Sequence, residues 1–382
     1  MSKETYIEAK KHFANNVSSL GIENYQERLS IIPTDGSDYT FVFMAPQHKE
    51  LAWLYHDDIP IATELSASLN MCIRMNQGFV SAGLSDRHLK CFEMLHIAGI
   101  MPKEEALPLI VKLLQNELSD AIGIWANAHQ DDVESINILK QLGLEVIKDE
   151  ECYFAKSEWT DRTGTRVELK AKRDSGSTSD WELLNIVILS SVGNGVLKTP
   201  LIEAGGSYER ILSYQDGVTD VHFTSGLEKL ERSNDLRNTR AIKDLARLAV
   251  VMALNDIRID VPRTTMKIRQ KRVVSVLKEL TTSAVVEGLT LGELNTHILD
   301  QEQLTNYYSP NSGMPDTCVE SGTIIRHYLE YIARRYDNLY SMLERAEKLG
   351  LKLNVPENVK RLSDRYDGGS DMLLRYVNRT FV

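Results

Sequence analysis

Apolar side chains recur every three to four residues through much of the chain, the period of an amphipathic helix. Residues 103–118 follow this pattern after Pro102, and proline suits the first turn of a helix. The pattern returns strongly in 241–257 and in 322–349, with Pro356 placed to close the last run. These segments predict a mainly helical protein.

Local capping signals support two further helices. Asp131 or Asp132 can cap a helix over 133–142, and Gly143 suits its left-handed C-terminal end. Thr290 and Glu293 form a capping-box pattern at the start of a helix over 291–299.

Strand-like composition is confined to a short region. Residues 144–147, 152–155 and 166–171 are rich in β-formers, and 161–164 contain turn residues. The pattern predicts a small β-hairpin on a helical body. The apolar run 181–196 is interpreted as a buried helix.

Composition describes an ordinary globular chain. Of 382 residues, 42% are apolar and 26% charged. No stretch of about 18 uncharged apolar residues occurs, so no membrane span is expected. The four cysteines are scattered and form no CxxC pair, so neither a zinc site nor a disulfide framework is expected.

Charge is distributed unevenly along the chain. Residues 237–278 hold eleven Lys or Arg against three acids, a net of +8, while the remainder has 33 bases and 51 acids, a net of -18. Within it, 263–278 hold six bases and no acid. A concentrated positive segment in an acidic chain suits a polyanion site, although such runs are also found on solvated helix faces.

Catalytic motifs are absent from the sequence. No Walker A, GxGxxG, HExxH or GxSxG pattern occurs. The runs 56–58 and 129–132 each combine His with Asp, which suits metal ligands or, more simply, a loop and helix cap. Gly205-Gly206 suits a phosphate loop or a plain turn. Helix 133–142, Gly143 and the next strand are similar to the end of acyltransferase domains of the acetyl-coenzyme A class, but their glycine-rich loop is missing.

Aromatic and basic residues alternate near the C-terminus. Tyr328, Tyr331 and Tyr336 fall at helical spacing, with Arg326, Arg334 and Arg335 among them. Tyrosine rings can stack on bases, although tyrosines so spaced are more often core residues. With the basic segment, they predict the two walls of a groove for single-stranded nucleic acid.

The string Gln270-Lys271-Arg272-Val273-Val274 resembles nucleoproteins of non-segmented negative-strand RNA viruses. Paramyxoviral members have a similar string after an apolar helix, pneumoviral members look similar over 245–299, and the chain's size suits the fungal mymonavirus members. The resemblance implies that Lys271 and Arg272 contact the RNA backbone. It extends this role to the further basic residues Arg258, Lys267, Arg269 and Lys278.

The resemblance leads to a definite expectation. The chain would be a mostly α, two-lobed nucleoprotein with terminal exchange arms, divided at 1–31, 32–282, 283–360 and 361–382. It would polymerise into rings or helical filaments and package single-stranded RNA in a basic groove between the lobes.

Further expectations follow from the same resemblance. The chain would use no cofactor, metal or catalytic residue, and a viral polymerase or phosphoprotein-like cofactor would be its partner. It would reside in the virion nucleocapsid and in the host cytoplasm, with the nucleus left open. The alternatives are a cytosolic acyltransferase-like enzyme and a helical interaction scaffold.

Overall fold

The described residues of the computed structural model form two compact units. The description covers 3–28, 65–73, 82–118, 123–154, 162–171, 181–192, 195–223, 236–260, 262–307, 318–363 and 369–381. Unit 1 comprises the described parts of 1–28, 44–72 and 92–226, and unit 2 those of 29–43, 73–91 and 227–382. Both units are discontinuous along the chain, unlike the four consecutive segments that the sequence predicts, which stay a prediction.

Unit 1 is built on one mixed sheet. Its described strands are β1 (Asn24–Arg28), β2 (Ser66–Ile73), β3 (Cys91–Ile100), β4 (Ile124–Ala128), β5 (Glu145–Lys148), β6 (Tyr153–Phe154), β7 (Arg162–Ala171), β8 (Trp181–Val192) and β9 (Gly195–Ser207). They lie in the order β1-β2-β3-β9-β8-β7-β4-β5, and β6 pairs with β7. β1 pairs with β2 and β4 with β5 in parallel, whereas the pairs from β3 through β9, β8 and β7 to β4 are antiparallel.

The described helices of unit 1 are α1 (Lys3–Ser19), α2 (Lys103–Leu118), α3 (Val133–Gln141) and α4 (Tyr208–Gln215), followed by a short 3-10 helix, Val221–Phe223. α3 connects the parallel strands β4 and β5. α2 packs against α1, α3, α4 and β9.

One face of the central strands is apolar. Ile97, Ala204, Ile186, Val167 and Ala128 form a row across β3, β9, β8, β7 and β4, and all five are buried. Because side chains alternate between the faces of a sheet, residues two positions apart share a face. This side of the sheet is therefore core.

Two polar contacts show that helices cover this apolar face. Lys10 of α1 binds Glu93 at 2.8 Å, and Glu93 lies on the same face as Ile97. Thr165, on the face of Val167, donates a hydrogen bond to Asp132 at the start of α3. The helices thus lie over the apolar side.

Unit 2 is helical in its described part. It contains α5 (Leu236–Leu254), a short 3-10 helix (Arg263–Thr265), α6 (Ile268–Glu287), α7 (Leu291–Tyr307), α8 (Cys318–Lys348), α9 (Pro356–Ser363) and α10 (Gly369–Phe381). One of its cores joins α6, α8, α9 and α10 through Val285, Tyr336, Leu339, Met342, Ala346, Val359, Leu362, Met372 and Leu373.

The predicted fold class is wrong. The sequence predicts a mostly helical two-lobed protein with one small hairpin, whereas β7 is one strand of a large mixed sheet. The main error concerns 181–196, predicted as a helix and observed as β8 and the start of β9. A central strand buried on both faces has no alternating pattern, so its apolar run cannot be distinguished from a buried helix by periodicity.

The capping signals predict local structure correctly. α2 begins after Pro102, and Asp132 accepts the Ser135 N–H as the N-cap of α3. Gly143 has φ +83°. The Thr290 N–H donates to Glu293 at 2.8 Å, and the Glu293 N–H donates back to the Thr290 hydroxyl at 3.2 Å.

The terminal exchange arms are a further correction. Tyr6, Phe13 and Val17 of α1 are buried, and α1 packs on α2 and β1 of its own unit. Met372 and Leu373 of α10 are buried in the core of unit 2. The apolar faces of both terminal helices are therefore covered by the chain itself.

Candidate functional site

The second face of the same five strands carries a polar row. His96, Gly205, Asn185, Glu168 and Asn127 stand opposite one another on β3, β9, β8, β7 and β4. At about 4.8 Å between strands, the row is roughly 19 Å long. The row is a polar strip on a face that also carries buried apolar residues, among them Val187, Leu189 and Leu201. Polar groups in such surroundings suit a binding site.

Glycine stands in the middle of this row. Gly205 leaves a position without a side chain between His96 and Asn185. The neighbouring Gly206 is required by packing, because a Cβ there would lie 2.0 Å from the Leu183 carbonyl oxygen. The pair therefore belongs to a strand, and its interpretation as a plain turn is wrong.

A histidine and a carboxylate meet beside the glycine. His96 Nε2 lies 3.0 Å from Glu203 Oε1, and both side chains are almost fully buried. The carboxylate orients the imidazole and fixes which ring nitrogen faces it. Such a pair can hold or transfer a proton.

Charged residues continue along β7 on the same face. Glu168 binds Arg166 at 2.9 Å and Lys170 at 3.0 Å. The Lys170 ammonium lies 5.3 Å from the centre of the Trp125 ring on β4. These side chains are partly exposed, so this end of the row offers both signs of charge to a ligand.

A thiol lies close to this charged ladder. Burial raises the pKa of Cys152 to about 11, with help from the charges of Glu168 and Asp149, against the opposing effect of Arg166. The thiol is therefore protonated at neutral pH. Since thiolates are the reactive form of cysteine, Cys152 is not suited to act as a nucleophile.

Three buried polar atoms of this face lack hydrogen-bond partners among the described residues. They are the amide oxygens of Asn185 and Asn127 and the Nε of Arg166. The Asn127 NH2 donates to Asp149 at 3.1 Å, which leaves its oxygen as the unused group. An unmet buried polar atom costs about 1–3 kcal/mol. The face thus holds two acceptors and one donor atom without a partner, although the Arg166 guanidinium also binds Glu168 and the Glu151 carbonyl.

The predicted RNA-binding residues all lie in unit 2, away from this row in the sequence. Lys267 and Lys271, at the start of α6, are exposed, and Arg269 and Arg272 are half-buried. The first turn of α6 contains no acid.

Most of the other predicted RNA-binding residues already contact residues of the chain itself. Arg258 binds Asp256 at 2.9 Å, and the buried Lys278 binds Asp371 at 2.5 Å. On α8, Arg326 is exposed, the Nε of Arg334 donates to the Glu330 carbonyl at 3.3 Å, and the buried Arg335 lies over the Tyr331 ring. Their role in RNA binding stays a prediction.

The described residues contain no group of three or more His, Cys, Asp or Glu that could hold a metal ion. In the run 129–132, Asp132 serves as a helix cap, as the simpler interpretation predicts. The run 56–58 lies outside the described residues. Among the described helices, none is both long and apolar enough to cross a membrane.

Comparison with known proteins gives a partial likeness to solved structures. No family model matches the sequence, and no curated protein matches it. A pyrrolysyl-tRNA synthetase of Desulfitobacterium hafniense aligns at 13% identity and TM-score 0.34, covering 57% of this chain and 71% of that one.

Two further solved structures give similar values. The S. aureus histidyl-tRNA synthetase aligns at 13% identity and TM-score 0.34, covering 55% of this chain and 66% of its own. The asparaginyl-tRNA synthetase of Pyrococcus horikoshii aligns at 13% identity and TM-score 0.32, covering 58% of this chain and 67% of its own. At these TM-scores, function has to be argued from the chain's own residues.

The observed fold contradicts the viral interpretation. The large mixed sheet is foreign to the mostly helical nucleoprotein fold that the sequence predicts. The nucleoprotein resemblance is therefore wrong, and with it the expected polymer, polymerase-type partner, virion location and absence of catalysis. The acyltransferase-like alternative gains no support from the comparisons either.

Sequence reasoning missed the polar row. One signal was available in β7, where Arg166, Glu168 and Lys170 alternate with apolar residues, the pattern of a strand with one polar face. Asn185 is a single polar residue in an apolar run, which also marks a special position. Neither signal shows that five strands bring these residues into one row.

Proposed function

We propose that the polar face of the sheet binds a small zwitterionic metabolite, of the size and chemistry of an amino acid, and that the chain acts on it as an enzyme. The unused oxygens of Asn185 and Asn127 and the unused Nε of Arg166 are the observation that supports this proposal. Natural proteins retain such costly groups mainly where function uses them.

The chemistry of the ligand follows from these groups. Two amide oxygens accept hydrogen bonds, so they suit an ammonium or amide group. Arg166 donates, so it suits a carboxylate. Arg166 and Asn185 lie on neighbouring strands, which are about 4.8 Å apart, so one small molecule can reach both.

The proton-transfer step is assigned to His96. Glu203 holds its Nε2 at 3.0 Å and acts as a positioning residue. Gly205 stands between His96 and Asn185 in the row and has no side chain to separate them. This arrangement suits acid–base chemistry on a ligand held by the asparagine oxygens.

A thermal-shift screen of amino acids tests the proposal. A ligand at about 100 times its Kd stabilises the folded state by about 2.7 kcal/mol, a shift of several degrees. Asn185→Leu should abolish the shift while the unliganded protein keeps or gains stability, because an unmet polar group is removed.

Arg166→Met tests the opposite end of the ligand. It should weaken carboxylate-bearing ligands about tenfold or more, whereas their amides should lose little. Lys148→Gln, at an exposed position of β5, is the matched control. If no amino acid stabilises the wild type, or if Asn185→Leu responds like the wild type, the proposal fails.

A second proposed activity concerns the start of α6. Lys267 and Lys271 stand at the N-cap and in the first turn of the helix, near the positive end of its dipole, where each cation is unfavourable by about 0.3–1 kcal/mol, and Arg272 follows directly. Phosphates are favoured at such an end. The cost is offset if these residues bind the backbone of a nucleic acid.

Salt dependence of RNA binding tests this second activity. For single strands, log K falls with log[salt] by about 0.7 per phosphate contact. Lys267→Gln with Lys271→Gln should lower the slope by about 1.4 and weaken all sequences alike. The exposed pair Lys112 and Lys140 in unit 1 provides the control double variant. Equal slopes in both double variants would contradict this activity.

A further inference from the structure

Unit 1 also contains a cavity of about 670 Å³ at the end of the helix-covered side of the sheet. Thr165 and Ile188 form part of its floor, and the first residues of α2 and α3 form part of its wall. Both floor residues lie on the face opposite the polar row. The cavity is therefore distinct from the site proposed above, and its size is that of a small-metabolite pocket.

Most of the charged side chains that line this cavity already form ion pairs with one another. Lys103 binds Asp132 at 2.7 Å and Glu134 at 3.2 Å. Asp132 also accepts from Ser135 and Thr165. Burial alone would raise the pKa of Asp132, but the hydrogen bonds from Lys103, Thr165 and Ser135 hold it below its ordinary value. This group is thus a satisfied cap and no ligand is needed to explain it.

Two carboxylates and one exposed lysine, Lys198, of the lining remain without an ion pair among the described residues. Asp131 and Glu104 line the cavity, are exposed, and make no ion pair with any described residue. The cavity lining as a whole has two lysines against four carboxylates. Acids at helix starts are common, which explains Glu104, but Asp131 precedes the cap and has no such role.

An aromatic wall stands beside these acids. Tyr153 is 48% exposed, and its ring centre lies 5.5 Å from that of His129. The Asp131 N–H donates to His129 Nδ1 at 3.3 Å, so the neutral ring carries its proton on Nε2. An exposed tyrosine ring in the lining, together with carboxylates that have no ion pair, suits an organic cation.

We propose that this cavity binds a small organic cation, a polyamine or a guanidinium compound. Its charged groups contact Asp131 and Glu104, and its carbon chain lies along Tyr153. Binding here is independent of the ligand on the polar sheet face, because different residues form the two sites.

Titration calorimetry with spermidine and agmatine tests this site. We expect saturable binding of one molecule per chain by at least one of them. Asp131→Asn should weaken it about tenfold, and Tyr153→Ala by a similar factor, whereas Tyr153→Phe should keep it because the ring remains. Asp131 and Tyr153 are exposed, so the variants should melt like the wild type.

The control addresses the overall acidity of the chain. Its net charge is -10, so weak binding of amines over the whole surface is expected. Glu145→Gln, on exposed β5, removes one charge outside the cavity and should leave the affinity unchanged. The proposal is overturned if Asp131→Asn and Glu145→Gln weaken binding equally. It is also overturned if neither amine gives saturable binding, or if a neutral sugar or nucleoside binds in place of the amines.

Discussion

At the scale of single residues, Gly206 shows how closely the central strands approach. A Cβ at this position would lie 2.0 Å from the Leu183 carbonyl oxygen, a backbone atom that cannot rotate away. We expect Gly206→Ala to destabilise the protein by about 1–3 kcal/mol, the usual cost of overpacking. Urea unfolding measures the change.

Gly322 provides the matched control for this glycine. It lies in α8, and nothing stands within 4 Å of a Cβ built there. Gly322→Ala should be neutral or stabilising by up to about 1 kcal/mol, because alanine favours helix. Equal effects of the two substitutions would contradict the close approach of Gly206 to the Leu183 carbonyl.

Glu117 gives a pH prediction at the same scale. Burial raises its pKa, against the opposing hydrogen bond from Asn16 and the charge of His12. At a pH between the unfolded and the folded pKa, the Glu117 carboxyl is protonated in the folded state and ionised in the unfolded state. Stability should fall as pH rises from the unfolded value of about 4.3 through the higher folded value.

The variant Glu117→Gln removes this titration. Its free energy of unfolding should change less between pH 4 and pH 7 than that of the wild type. Unfolding midpoints at several pH values decide this. Parallel profiles for the two proteins would mean that another group causes the dependence.

At the scale of elements, α10 shows which force holds a terminal helix. Leu373 is fully buried, so Leu373→Ala should cost about 2–5 kcal/mol. Asp371 binds Lys278 and Arg375, but its side chain is 43% exposed. Solvent screening therefore limits the cost of Asp371→Asn to under about 1 kcal/mol.

The Asp371 ion pairs also predict a pH effect. Burial alone would raise the pKa of Asp371, but the hydrogen bond from Lys278 and the charge of Arg375 lower it. This small contribution is present above the unfolded value of about 3.9 and is lost as pH falls through the lower folded value. Urea unfolding of both variants at pH 7 ranks the two effects. A larger loss for Asp371→Asn than for Leu373→Ala would contradict this ranking.

Elements were predictable from sequence where the signal was local. The caps at Asp132, Gly143 and Thr290 depend on neighbouring residues only, and they are confirmed. β8 was not predictable, because its apolar residues fill both faces and imitate a buried helix. A single misassigned central strand is enough to change the fold class.

At the scale of the whole molecule, the candidate site was beyond sequence reasoning. His96, Asn127, Glu168, Asn185 and Gly205 are far apart along the chain, and only strand register brings them together. The basic segment 263–278 was conspicuous because its residues are consecutive. Consecutive charges are visible in the sequence, whereas a site formed by long-range strand pairing is not, and the nucleoprotein hypothesis rests on these charges.

Trp125 allows the central claim to be tested directly. The chain has four tryptophans, so its side-chain NMR spectrum has four indole signals, and Trp125→Phe assigns one of them. Trp125 lies beside Lys170 on the polar face. An amino acid that stabilises the protein should shift the Trp125 signal in the wild type and leave it unmoved in Asn185→Leu. A stabilising ligand that leaves Trp125 unmoved in the wild type would contradict binding on the polar face of the sheet.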